Sequence, residues 1–117
     1  MKAIGITGGI GSGKTTICRI IEKLNYPVFY ADQAAKDCMH EDEQLKSEII
    51  SRFGSQSYVN NVLNRPFLAD EIFNNSAAKE ALNALVHPAV YRAFEKWKTT
   101  HRDKKIVFNE SALLFET

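Results

Sequence analysis

The first residues, "KAIGIT" (Lys2–Thr7), are apolar and β-favouring and run into glycines. That pattern predicts a short buried strand. Beyond Lys14 the period changes. Ile17, Ile20, Ile21 and Leu24 recur at i, i+3, i+4 and i+7, which is one face of a helix. Asn25 supplies a stop, and Pro27 cannot continue the helix. "PVFYAD" (Pro27–Asp32) predicts a second strand. Strand, helix and strand within about thirty residues make a βαβ unit, whose two strands run parallel.

The middle of the chain carries helical patterns. Gln33 to Met39 predicts one helix. Leu45, Ile49 and Phe53 form a second apolar stripe, closed by Gly54. "GSQSYVNNVLN" is polar and turn-rich and predicts a loop. Pro66 suits the first turn of a helix covering Phe67, Leu68, Ile72 and Phe73. Ser76 is placed to cap a further helix carrying Leu82, Leu85 and Val86. Pro88 interrupts or kinks it, after which Val90, Phe94 and Trp97 resume the stripe as core. "HRDKK" predicts a charged loop, and "IVFNESALLFE" opens as a third buried strand.

Bulk composition narrows the class. The 117 residues are 44% hydrophobic and 25% charged, as in an ordinary globular domain. A net charge of +1 gives no field for nucleic acid or an anionic membrane surface. No apolar run has the length of a membrane span or of a signal-peptide core. Cys18 and Cys38 make neither a disulfide framework nor a zinc cluster, and Cys18 falls in the apolar helical pattern as a small buried thiol. These features point to a reducing, cytoplasmic location.

The chemistry is concentrated in "GITGGIGSGKTT" (Gly5–Thr16). Gly8, Gly13, Lys14 and Thr15 match G-x-x-x-x-G-K-[ST], between a predicted strand and a predicted helix. A loop that turns its backbone N–H groups onto a phosphate needs dihedrals that suit glycine. The following helix aims its unpaired N–H groups at the same anion. Gly8, Gly9, Ile10, Gly11, Ser12, Gly13, Lys14, Thr15 and Thr16 are therefore the candidate ATP cradle. Lys14 supplies a charge to the β- and γ-phosphates, and the Thr15 hydroxyl is a hard oxygen ligand for Mg²⁺. The loop alone does not choose among GTPase, ATPase and kinase. The chain has neither D-x-x-G nor N-K-x-D, and its compact layout favours a small-molecule kinase with a helical insertion after the second strand.

Further candidates lie at the carboxyl ends of the strands, where ligands bind in such sheets. Asp32 can accept or orient the proton of an attacking hydroxyl, and can equally cap the next helix. Glu110 can hold the Mg²⁺ hydration shell, touch the acceptor, or be a surface carboxylate. Arg65, Arg92 and Lys96 can bind an anionic acceptor or stand as solvated helix charges. His87 has no local metal partner and reads as structural or substrate-binding.

Five segments together resemble the dephospho-CoA kinase family in order and spacing. They are "GITGGIGSGKTT", "YADQAAK" (Tyr30–Lys36), "LNRPFLADEIF" (Leu63–Phe73), "LNALVHPAVYRAFEKW" (Leu82–Trp97) and "ESALLFE" (Glu110–Glu116). The resemblance spans essentially the whole chain. It implies an α/β fold, a P-loop NTPase-type three-layer α/β/α parallel sheet with a helical acceptor-binding region near residues 33–98 of a domain spanning 1–117. It implies transfer of the ATP γ-phosphate to the ribose 3′-hydroxyl of dephospho-CoA, with Mg²⁺. Asp32 matches the family's candidate base. Thr7 matches a threonine near the reacting groups, and Arg65 and His87 match positions near the acceptor. The family often has Asp-Ala-Asp where this chain has Tyr30-Ala31-Asp32, and Pro-Leu-Leu at Ala112-Leu113-Leu114. Three strands are few for a parallel sheet covered on both faces, and a bare first strand is a liability. The expectation is an amino-terminal portion whose lid and remaining strands follow residue 117, with weak or no turnover from these residues alone. Two alternatives stay open, a nucleoside monophosphate kinase-like enzyme and a non-catalytic nucleotide-binding fragment.

Overall fold

The computed structural model describes residues 1–7 and 13–111. Along the chain run β1 (Lys2–Thr7), α1 (Lys14–Lys23), β2 (Val28–Tyr30), α2 (Ala31–Glu41), α3 (Glu43–Phe53), β3 (Tyr58–Val59), β4 (Val62–Leu63), α4 (Arg65–Ile72), α5 (Ser76–Thr99) and β5 (Ile106–Ser111). The fold divides into two compact units, one of residues 1–34 and 91–117, the other of residues 35–90.

The first unit holds a parallel sheet in the order β1-β5-β2. The first two strands are parallel, as the βαβ reading expects, but they are not neighbours: β5 lies between them. The in-register rows define two faces. Gly5, Asn109 and Phe29 share one face, and Phe29 packs on Phe94 and Trp97 of α5 at ring-centroid distances of 5.0 and 5.4 Å. Ile6, Glu110 and Tyr30 share the other, where Tyr30 donates to Glu22 of α1 at 2.8 Å. A helix thus lies against each face at β2. Val107, Phe29 and Phe94 are buried, whereas Trp97 of the same predicted core stripe is half-buried.

α1 ends as its sequence signals. Asn25 takes the left-handed conformation at φ 69°. Its N–H bonds Glu22 O, and Tyr26 N–H bonds Ile21 O, the paired closure of a Schellman motif. Burial along β1 and α1 departs from the hydrophobic pattern. β1 is largely exposed, not buried. Ile17, Ile20 and Leu24 are 49%, 54% and 63% exposed, whereas Cys18 is buried. β1 and β2 are both edge strands among the described residues, and of the two it is β2 that packs on α5, through Phe29 against Phe94 and Trp97.

In the second unit Leu45 and Ile49 of α3 are fully buried, and Gly54 closes the helix at φ 105°. The stretch read as a loop contains a short 3₁₀ turn at Ser55–Ser57 and the β3–β4 hairpin. Its strands are two residues each, too short for an alternating signal. Its turn residues, Asn60 and Asn61, have φ of 52° and 66°, the left-handed pair of a two-residue hairpin. α4 is capped by Asn64, whose side chain accepts from Phe67 N at 3.3 Å. Asn75, not Ser76, caps α5, accepting from Ala78 N at 3.1 Å. α5 continues through Pro88 instead of stopping there. Its buried Val86 and Ala89 flank the proline and hold the helix despite the lost N–H.

Tyr58 donates to Met39 O at 2.6 Å, and burial raises its phenol to about 12. The unfolded phenol ionises near pH 10 while the folded one stays protonated, so stability is full below about pH 10 and falls as pH rises toward about 12. Denaturant titrations across that window should show the fall. Tyr58→Phe should flatten it and, by losing the hydrogen bond, cost about 1 kcal/mol at pH 7.

Candidate active site

Parallel strands place their carboxyl ends on one rim. Thr7 of β1 pairs with Ser111 of β5, and Ile6, Glu110 and Tyr30 form the row beneath. α2 begins directly after Tyr30, so Asp32 lies in its first turn. The strand reading through Asp32 is two residues too long, and Asp32 is inside the helix instead of at its cap. A carboxylate in a first turn is still favoured by the helix dipole. Asp32 is half-buried.

Gly13 stands immediately before α1 at φ 81°. This left-handed value is the one a glycine adopts without strain, which accounts for glycine before the lysine. Lys14, Thr15 and Thr16 form the first turn of α1, whose N–H groups lack intrahelical partners. Gly8, Gly9, Ile10, Gly11 and Ser12 of the candidate cradle, and Ala112–Thr117, lie outside the described residues.

The Lys14 ammonium forms an ion pair with Glu110, and the two side chains are only 15% and 11% exposed. Two distant parts of the sequence thus meet at the helix start and the rim of the central strand. Glu110 is buried, so among its sequence-level readings that of an ordinary surface carboxylate does not hold. Cys18 lies one turn along α1. Burial, and then the Glu110 charge, push its thiol above the ordinary value, so it is an inert packing residue. Tyr30 stands where the resemblance expects a first acid. Burial raises its phenol, and the hydrogen bond to Glu22 raises it further. Tyr30 is therefore a neutral donor that keeps a carboxylate of α1 close to the sheet.

Thr7 and Thr15 are exposed at this end of the first unit. Mg²⁺ retains most of its waters and takes few protein ligands, so one threonine hydroxyl with nearby carboxylates is a fitting donor set. Among the described residues no group of three His, Cys, Asp or Glu side chains gathers as a metal cage. Arg65 and His87 belong to the second unit, Arg65 at the first position of α4 and His87 one residue before Pro88 in α5. Both are exposed. Sequence reasoning missed Asn109, whose Oδ1 is buried and has no hydrogen-bond partner among the described residues. Only the pairing register reveals it, because its face is set by Gly5 and Phe29. No helix of the described residues is long and apolar enough to cross a membrane.

Removing one member of a buried pair strands the other charge. Lys14→Met should lower stability by about 3 kcal/mol, read as a fall in Tm. Glu110→Gln added to it should restore most of the loss. A double variant as unstable as Lys14→Met would show that the ion pair is not the cause.

The family model for dephospho-CoA kinase matches residues 2–117. A dephospho-CoA kinase from Salinibacter ruber is 43% identical over 99% of this chain and 60% of its own length. One from Chlorobium luteolum is 40% identical over 97% and 55%. Among solved structures, a Thermus thermophilus protein superposes with a TM-score of 0.76 at 33% identity, covering 98% of this chain and 58% of that one. A dephospho-CoA kinase from Campylobacter jejuni gives 0.74 at 28% identity, covering 99% and 60%. The chain therefore spans a little over half the length of the relatives it matches. The rim chemistry, the sheet and the match across the described elements lead to one conclusion: the chain belongs to the dephospho-CoA kinase family.

Proposed function

We propose that the protein carrying these residues transfers the γ-phosphate of ATP to the ribose 3′-hydroxyl of dephospho-CoA. The observation that carries this reading is the buried Lys14–Glu110 pair at the carboxyl rim of the sheet, in a chain of this family. It joins the lysine of the phosphate-binding signature to the central strand's terminal carboxylate. Bound Mg²⁺ would be held through the Thr15 hydroxyl and would neutralise charge on the transferring phosphate.

The steps follow from the residues. Gly13 and the first turn of α1 offer N–H groups to the phosphates, and Lys14 supplies their counter-charge. Lys14 would exchange part of its contact with Glu110 for the phosphate oxygens, while Glu110 keeps the ammonium aimed at the rim. Asp32 takes the proton of the 3′-hydroxyl as that oxygen bonds to the γ-phosphorus. The bond from that phosphorus to the bridging oxygen breaks, and ADP leaves with the electron pair. By the family resemblance, Thr7 is assigned to the reacting groups, and Arg65 and His87 to the acceptor. The kinase is a soluble cytoplasmic enzyme on this reading, acting on a small molecule and on neither nucleic acid nor membrane.

An acceptor screen with the native polypeptide tests the assignment. ATP consumption should follow dephospho-CoA and not AMP, CMP or shikimate, and the product should carry a new 3′-phosphate by mass spectrometry. Phosphorylation of AMP or CMP instead would sink it. Asp32→Asn should lower kcat by roughly 10²- to 10⁴-fold, the range for loss of a general base, with ATP affinity kept within about twofold. Near-wild-type turnover would return Asp32 to a helix-stabilising role.

A further inference from the structure

Lys46 has no part in the proposed chemistry, yet its side chain is only 6% exposed. Burying an ammonium is costly unless it is well paired. Its carboxylate neighbour pairs poorly: Glu43 is 3.5 Å away and 84% exposed. The close partner is an amide, because the ammonium donates to Asn61 Oδ1. The Tyr58 ring lies 5.5 Å from the same nitrogen, near enough for a cation–π contribution. Asn61 and Tyr58 both belong to the β3–β4 hairpin.

A hairpin with two residues per strand does not hold its shape unaided. This one is clamped from two helices. Lys46 of α3 grips its turn through Asn61, and Tyr58 bonds the end of α2 through Met39 O. The hairpin leads without a gap into α4. Asn64 N donates to Ser57 O at 2.8 Å, extending the ladder past Leu63. Asn64 Nδ2 donates to Gln56 O at 3.0 Å, and Asn64 Oδ1 accepts from Phe67 N. Arg65 is the next residue, the first of an eight-residue helix. So short a helix takes its placement from what holds its ends.

We infer that Lys46 is a positioning residue for the anionic acceptor. Through Asn61 it fixes the hairpin turn, and through the hairpin and the Asn64 cap it fixes the backbone that presents Arg65. The inference rests on the reading of Arg65 as an acceptor contact. It explains why an ammonium is buried against an uncharged amide: the contact locates a turn instead of neutralising a charge.

Asn61→Gly in the native polypeptide is the discriminating variant. Glycine keeps the left-handed backbone and removes the amide side chain, and with it the Oδ1 that accepts from Lys46. The KM for dephospho-CoA should rise about tenfold, the loss of one charge-assisted hydrogen bond, while the KM for ATP stays within about twofold. Asn61→Asp keeps an acceptor oxygen and should return the acceptor KM close to wild type. In an Arg65→Ala background, Asn61→Gly should add nothing, since both changes act through one group. An unchanged acceptor KM, or an equal rise in both backgrounds, overturns the inference. Amide exchange at Phe67 and Leu68, whose N–H groups close the first turn of α4 on Asn64, gives a readout independent of substrate. It should quicken in Asn61→Gly, and unchanged exchange overturns the positioning role. A wild-type protein that ignores dephospho-CoA removes the functional reading alone, and the exchange measurement then decides this one.

Discussion

Both outer strands of the larger sheet hydrogen-bond to β5, so the register of β5 decides which side chains share the rim. Parallel strands need long crossovers, and here the crossovers carry the rest of the molecule. One returns through α1, and the other contains the entire second unit. A slip of one residue in β5 would turn Glu110 away from α1 and bring Asn109 to Lys14. The ion pair, the row of Ile6, Glu110 and Tyr30, and the aromatic packing of Phe29 all depend on that single alignment.

Two lysines are withdrawn from water, and they are used differently. Lys14 faces a carboxylate at a helix start, where an anion can displace or share the contact. Such a pair is held at the site without being locked. Lys46 faces an amide on a tight turn, with an aromatic ring beside it. No incoming anion is needed to explain that arrangement, and its energy goes into geometry. The same side chain thus serves exchange in one place and fixation in the other, according to whether its close partner is a carboxylate or an amide, since Glu43 stands off from Lys46 at 3.5 Å.

Much of the fold was legible because it rests on local chemistry. The limits of β1, the start of α1 after Gly13, the Asn25 stop and the Leu45/Ile49 stripe follow from periodicity and from residues suited to left-handed backbone. The fold and the family were legible from the glycine-lysine signature and the spaced segments after it. What escaped depends on tertiary partners. The β3–β4 hairpin is too short to alternate, and its Asn-Asn turn speaks more softly than one with glycine. Asp32 moved inside α2 because β2 stops at Tyr30, and a strand end is set by pairing with β5, not by composition. Burial on β1 could not be read at all, since the apolar pattern of a strand does not say what packs on its faces, and of the two edge strands among the described residues only β2 is covered. The meeting of Lys14 and Glu110 needed the whole topology.

The exposed face of α1 has a colloidal consequence. Ile17, Ile20 and Leu24 line up on it, and Ile4 of β1 and Met1 just before that strand are also open to water. Apolar strips of this kind attract one another, and an unpaired strand edge offers a template for further pairing. What normally opposes such attraction in solution is like-charge repulsion between molecules, and a net charge of +1 supplies almost none. These residues on their own therefore sit near their least repulsive state at neutral pH. Their dispersal depends on what covers α1, more than on the charge they carry.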